Sequence, residues 1–200
     1  MTTQRKTQRG KQQVSLREKY QYCAFYCEEN IWKLCQESEF KDKTAITVFI
    51  SNPQQTCAIW HQKAAPSVTE PVIFDYHVIL LVKDEEQENK KNWQVWDLDT
   101  TLNFPINAET YFHETFMVGY KVPNEFQPQF RIINAHDYVL KLSSDRSHMK
   151  DENNNEFHPT PKWKAPYQAD KGNNLSSFVQ MEEGFLGEVL DLQMMFARFG

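Results

Sequence analysis

Residues 72–98 read VIFDYHVILLVKDEEQENKKNWQVWDL, and they decide the fold. The two ends of this stretch are rich in β-branched, aromatic and aliphatic residues, whereas 83–92 (KDEEQENKKN) is a run of charge and amide that water must solvate. The pattern predicts a β-hairpin with a long polar loop. Facing residues of an antiparallel pair keep a constant index sum, and a loop centred on Gln87 sets that sum at 174. His77 then faces Asp97, with Ile79 opposite Val95 and Leu81 opposite Trp93 on the same face. A bulge in the loop would bring Asp99 or a diagonal pairing into play.

Working outward, residues 45–50 (AITVFI) predict a strand closed by Ser51-Asn52-Pro53, with 57–60 as its hairpin partner. Upstream, Ile31, Leu34 and Cys35 recur at helical spacing between Asn30 and about Phe40. Glu28 and Glu29 lie just before them, where carboxylates favour a helix start, so Cys27 falls at or just inside that start. Downstream, the sequence predicts a helix over 108–118 and short strands, or a strand and a turn, at 130–133 and 138–142. Residues 143–174, with three prolines and Asn153-Asn154-Asn155, read as a long surface loop packed by Trp163 and Tyr167. Val189, Leu192, Phe196 and Phe199 form the apolar stripe of a last helix. The expected whole is one α+β domain, with helices gathered to one side of an antiparallel sheet.

At 200 residues the chain can bury a sizeable core, and its 14 Phe, 8 Tyr and 5 Trp are more large apolar rings than a disordered chain carries. The net charge of -5 is uneven: residues 1–19 hold six basic side chains and one acid, leaving 16 basic and 26 acidic groups elsewhere. An acidic body argues against nucleic-acid binding, and the tail reads as a flexible, solvated segment of scattered charge before a catalytic domain over 20–200. The longest aliphatic run is five residues, 78–82, and the start is polar and basic without an apolar signal core. A monomer outside membranes is expected, in the cytoplasm and secondarily the nucleus. No GxGxxG or GxxxxGK[ST] motif is present, which removes nucleotide binding through those loops.

Four cysteines, Cys23, Cys27, Cys35 and Cys57, crowd into the first third, a spacing that suits reduced thiols. Cys23 and Cys27 lack a second Cys or His pair, so no metal is expected. A helix start lowers a cysteine pKa below about 8.5, and Cys27 alone is placed to benefit. Cys35, Cys23 and Cys57 read as small core residues. A histidine beside an aspartate on neighbouring strands is the pairing that orients a base for a nucleophile. Taken singly, a strand His is ordinarily a satisfied core or edge residue, and an Asp before a turn ordinarily a turn residue. Their coincidence in the order Cys27, His77, Asp97 leaves a catalytic triad and a purely structural set both open.

The segments YCEENIWKLC (26–35), VFISN (48–52), DYHV (75–78), DLDT (97–100) with Phe104-Pro105, and SDRSHMK (144–150) resemble the protein N-terminal glutamine amidohydrolase family over most of residues 22–200. The resemblance implies a papain/transglutaminase-like architecture with the nucleophile at a helix N-terminus, and a cofactor-free enzyme. That enzyme deamidates an amino-terminal Gln of proteins or peptides to Glu, feeding the N-degron route. It puts the nucleophile on Cys27, the base on His77 and the orienting carboxylate on Asp97. A free α-ammonium needs a carboxylate, for which Glu28, Glu29 and Asp145 are candidates; each also reads as a helix-start or turn residue. The chain departs from the family pattern in its basic extension before Tyr20, its acidic loop at 84–91 and its Met194-Met195 pair. A thiol protease, a transglutaminase-like enzyme and a non-catalytic peptide-binding module are the competing readings.

Overall fold

The computed structural model describes residues 16–83 and 92–200. The charged loop at 84–91 and the tail up to residue 15 lie outside the described residues. Of the expected tail, Leu16–Lys19 form a 3-10 turn, in which the Arg17 guanidinium donates to Leu102 O at 3.2 Å and lies 4.9 Å over the Phe104 ring.

Two strands that are apolar at both parities set the architecture. β1 (Ala45–Ser51) and β4 (His77–Lys83) are buried almost throughout, so both faces of their sheet need cover. They pair antiparallel, Val48 opposite Ile79 and Ile50 opposite His77. With β5 (Trp93–Trp96), β6 (Ile106–Asn107), β7 (Gln129–Asn134) and β8 (Glu188–Asp191) they form a sheet of order β6-β5-β4-β1-β7-β8, antiparallel at each pairing. Phe49, Val78, Leu80 and Ile133 face α1 (Cys27–Leu34), α3 (Ala135–Lys141) and α4 (Leu175–Val179). Ile50, Ile79, Leu81 and Phe130 face α2 (Ala108–Thr115) and α5 (Leu192–Phe199). The fold is α+β, but helices cover both faces rather than one.

The 72–82 run is not one strand. Val72–Phe74 (β3) pairs with Cys57–Ile59 (β2) in a separate two-stranded sheet, and the chain turns at Asp75-Tyr76 before β4 enters the large one. The 57–60 stretch therefore partners β3, not β1, whose two edges are taken by β4 and β7. The hairpin register is also corrected, since Leu81 faces Val95 and Lys83 faces Trp93, an index sum of 176. A slide of two residues keeps every side chain on its face, and a long loop fixes no register of its own, so the burial pattern does not separate the two alternatives. The 138–142 stretch belongs to α3 rather than a strand, because the Asn134 side chain caps that helix by accepting from His136 N and Asp137 N. At the carboxy end, Val189 lies in β8, and the last helix starts only at Leu192, where Asp191 accepts from Met194 N at 2.7 Å.

Arg131, in the middle of β7, is 1% exposed. Its guanidinium donates to Gln180 O, Glu182 O at 2.7 Å and Leu186 O at 3.0 Å, which fastens the segment before β8 to the sheet. Arg131→Met keeps the stem but strands those carbonyls, so a loss of about 3 kcal/mol is expected in chemical denaturation. An unchanged midpoint would mean that the carbonyls find water instead.

Candidate active site

The approach to Cys27 is held by one amide. Asn30 Oδ1 accepts from Cys23 N and its Nδ2 donates to Cys23 O, both at 2.8 Å, closing the turn that delivers the chain to α1. Within that turn Phe25 adopts φ +70°, a region that a bulky residue seldom occupies, and its ring stacks on His158 at 3.6 Å between centroids. Cys27 is then the first residue of α1. Tyr26, at the N-cap, makes no side-chain cap, so the first-turn N–H groups have neither a helical acceptor nor a capping side chain. That turn is the positive end of the helix dipole.

His77 opens β4, opposite Ile50 near the end of β1. Its Nε2 lies 3.0 Å from Asp97 Oδ1, although Asp97 lies one residue past the end of β5, in the turn. Asp97 is fully buried and accepts three further bonds: from Asp99 N at 2.9 Å, Tyr111 Oη at 2.8 Å and Gln62 Nε2 at 3.1 Å. With Nε2 committed to the carboxylate, Nδ1 is the nitrogen left for chemistry, and it is buried without a partner. Sequence reasoning missed Gln62 and Tyr111, which come from elsewhere in the chain and carry no local motif.

Cys27 and His77 line one cavity of about 540 Å³, together with Tyr22, Tyr76 and Asp99. The Val78 backbone N–H acts on the Cys27 sulfur, which sets that sulfur beside the start of β4, one residue past His77. Exposed apolar side chains, Phe25, Ile73 and Phe157, form the rim.

Electrostatically the site is acidic. Burial pushes the Cys27 thiol up, the Glu28 charge and then Asp99 add to that, and the Val78 N–H only partly opposes it. The lowered thiol expected at a helix start is therefore not found, because the sulfur is desolvated among carboxylates. Burial also disfavours charge on His77, but the Asp97 carboxylate outweighs it and moves the imidazole above its ordinary value. Asp97 moves down despite its burial, chiefly through His77.

The three carboxylates considered for an α-ammonium have separate fates. Glu28 is fully buried beside Cys27, with Oε2 3.8 Å from its Sγ and accepting from Tyr76 Oη at 3.1 Å, while Oε1 lies 3.6 Å from His148 Nε2. Glu29 faces away, each oxygen 2.7 Å from an Arg146 nitrogen, and Oε2 also accepts from Trp163 Nε1. Asp145 is exposed and caps a turn, accepting from Ser147 N and Asn173 Nδ2. Neither Glu29 nor Asp145 lines the cavity. His77, Asp97 and Asp99 each bring one ligand atom within 4.8 Å of the others. Both Asp97 oxygens and His77 Nε2 are already bonded to protein, so a cation there would have to break those bonds.

A model of the N-terminal glutamine amidase family matches residues 22–199. The chain is 38% identical over 184 residues to a human protein named protein N-terminal glutamine amidohydrolase, covering 90% of this chain and 87% of that one. Proteins of the same name from Danio rerio and Arabidopsis thaliana are each 35% identical, covering 90% and 82% of this chain and 89% and 76% of theirs.

Two substitutions separate the neighbouring glutamates. Glu28→Gln removes a charge that disfavours the thiolate, so the pH midpoint for alkylation of Cys27, followed by mass spectrometry, should fall; a rise would mean that Glu28 is not the charge the sulfur feels. Glu29→Ala leaves Arg146 unpaired, and a stability loss of about 3 kcal/mol is expected on denaturation.

Proposed function

The chain belongs to the N-terminal glutamine amidase family, and on that premise we propose that it hydrolyses the side-chain amide of an amino-terminal glutamine, releasing ammonia and leaving glutamate. Cys27 is the nucleophile in this reading, His77 the proton carrier and Asp97 the residue that orients it. One observation carries it: Cys27 and a His77 whose Nε2 is locked to Asp97 line the same cavity, with Nδ1 unpartnered. The order of the three residues along the chain, on a helix start, a strand and the turn after the next strand, supports a papain/transglutaminase-like arrangement.

The Cys27 thiol gives its proton to His77 Nδ1 as the sulfur attacks the amide carbon, forming a tetrahedral oxyanion. The uncapped N–H groups of the first turn of α1 are the donors for that oxygen. Nδ1–H next protonates the amide nitrogen, which leaves as ammonia while a γ-glutamyl thioester remains. The raised basicity of His77 suits that step, since the imidazolium persists until the leaving group needs its proton. Neutral His77 then takes a proton from water, the hydroxide adds to the thioester, the C–S bond breaks to release the γ-carboxyl of glutamate, and the proton on His77 returns to the Cys27 sulfur.

Paired peptides test the reading. A peptide beginning in Gln should release ammonia with its backbone intact, and its internal-Gln counterpart should not; peptide cleavage or isopeptide formation would replace the amidohydrolase with a protease or transglutaminase. Cys27→Ala and Cys27→Ser should abolish turnover in folded protein, and Asp97→Asn should lower kcat by about 10⁴-fold by offering His77 the wrong partner.

A further inference from the structure

Asp99 stands in the cavity wall with no role in the chemistry above. It lies half-buried between Cys27 and His77 on one side and Tyr22 on the other, and the Tyr22 hydroxyl donates to its Oδ1 at 2.5 Å. We propose that Asp99, oriented by Tyr22, is the specificity-determining carboxylate that receives the free α-ammonium of the substrate, an inference that rests on the amidohydrolase reading.

Reach is the first argument. In glutamine the α-nitrogen is four bonds from the amide carbon, at most about 5 Å away, so its receptor must stand within a few ångströms of the group that protonates the leaving nitrogen. One Asp99 carboxylate oxygen lies within 4.8 Å of a His77 ring nitrogen.

Competition among the carboxylates is the second. Glu29 is saturated by Arg146 and Trp163, Asp145 caps a distant turn, and Glu28 is fully buried and outside the cavity wall. Asp75 does line the wall but is exposed, where an ion pair in water contributes little, and its Oδ1 accepts from Tyr76 N. Asp99 is the wall carboxylate withdrawn from solvent.

Charge balance is the third. Burial raises the cost of the Asp99 charge, His77, Tyr22 and Lys63 offset part of it, and Asp97 adds to it. An arriving ammonium supplies a cation where the empty site holds an excess of carboxylate. A glutamine inside a chain, or one with an acylated terminus, presents a neutral amide instead and leaves Asp99 desolvated and unpaired. The same ammonium would offset a charge that disfavours the Cys27 thiolate, coupling recognition of the terminus to activation of the nucleophile.

Binding to the Cys27→Ala protein tests this without turnover. Titration calorimetry compares a Gln-initiated peptide with its des-amino analogue, in which hydrogen replaces the ammonium. The free-amine peptide should bind at least about tenfold tighter. Adding Asp99→Asn should bring that ratio close to one, Asp99→Glu should restore part of it, and Asp75→Asn should leave it in place. A ratio unmoved by Asp99→Asn, in protein whose thermal unfolding matches the parent, overturns the assignment, as does a parent that binds both peptides equally. Failure of the amidohydrolase reading shows elsewhere, as absence of ammonia from the wild-type protein with the Gln-initiated peptide.

Discussion

The Asp97 carboxylate is the constraint on which the site depends. Buried completely, it must be satisfied from all sides, and its four donors come from β4 (His77), the segment after β2 (Gln62), α2 (Tyr111) and its own turn (Asp99 N). Those elements belong to different layers, so one side chain ties the large sheet, the small sheet and a helix together. The bonds also explain how a residue beyond the end of β5 still meets His77. The Asp99 amide folds the turn back over the carboxylate, and Tyr111 and Gln62 occupy its other oxygen. Orientation of the imidazole is therefore overdetermined, which suits the proton-carrying role proposed for His77, in which the same nitrogen is presented twice.

The acidity of the cavity follows from the same packing. Glu28, Asp75 and Asp99 all act on the Cys27 sulfur in the direction that keeps its proton, while the backbone contributes the Val78 N–H and the open end of α1. A helix terminus alone does not settle a cysteine's reactivity; desolvation and the sign of the neighbouring side chains outweigh a dipole that acts over one turn.

Much of this was legible in the sequence where the signal was local. The β1 and β4 runs, the start of α1 at Cys27 and the polar character of 143–174 all follow from periodicity and turn residues. The His77–Asp97 contact was reached through a register that proved two residues off, since parity survives such a slide while the pairing does not. The helical cover on both faces was there to read in β1 and β4, whose apolar residues fill both parities, but the expectation of a one-sided sheet overrode it. α3 was missed because Tyr138 and Val139 favour strands, and the Asn134 cap that starts the helix is a single residue. Asp99 entered only as a register alternative to Asp97, although the two have different surroundings.

Glu28 and Glu29 show where a sequence stops being informative. They are adjacent, chemically identical, equally buried and equally good at a helix start. About 100° of rotation separates them on the helix, and that places one against Tyr76, His148 and the Cys27 sulfur, and the other against Arg146 and Trp163. The partners of Glu29 come from 117 and 134 residues downstream, in a segment with little regular structure beyond a 3-10 turn at Ser147–Met149, and this pair helps anchor it to the body. No local pattern assigns such a role. What distinguishes a carboxylate that steadies the fold from one that sets the charge at a sulfur is the set of partners each finds, and Arg146, Trp163 and His148 all come from the far end of the chain.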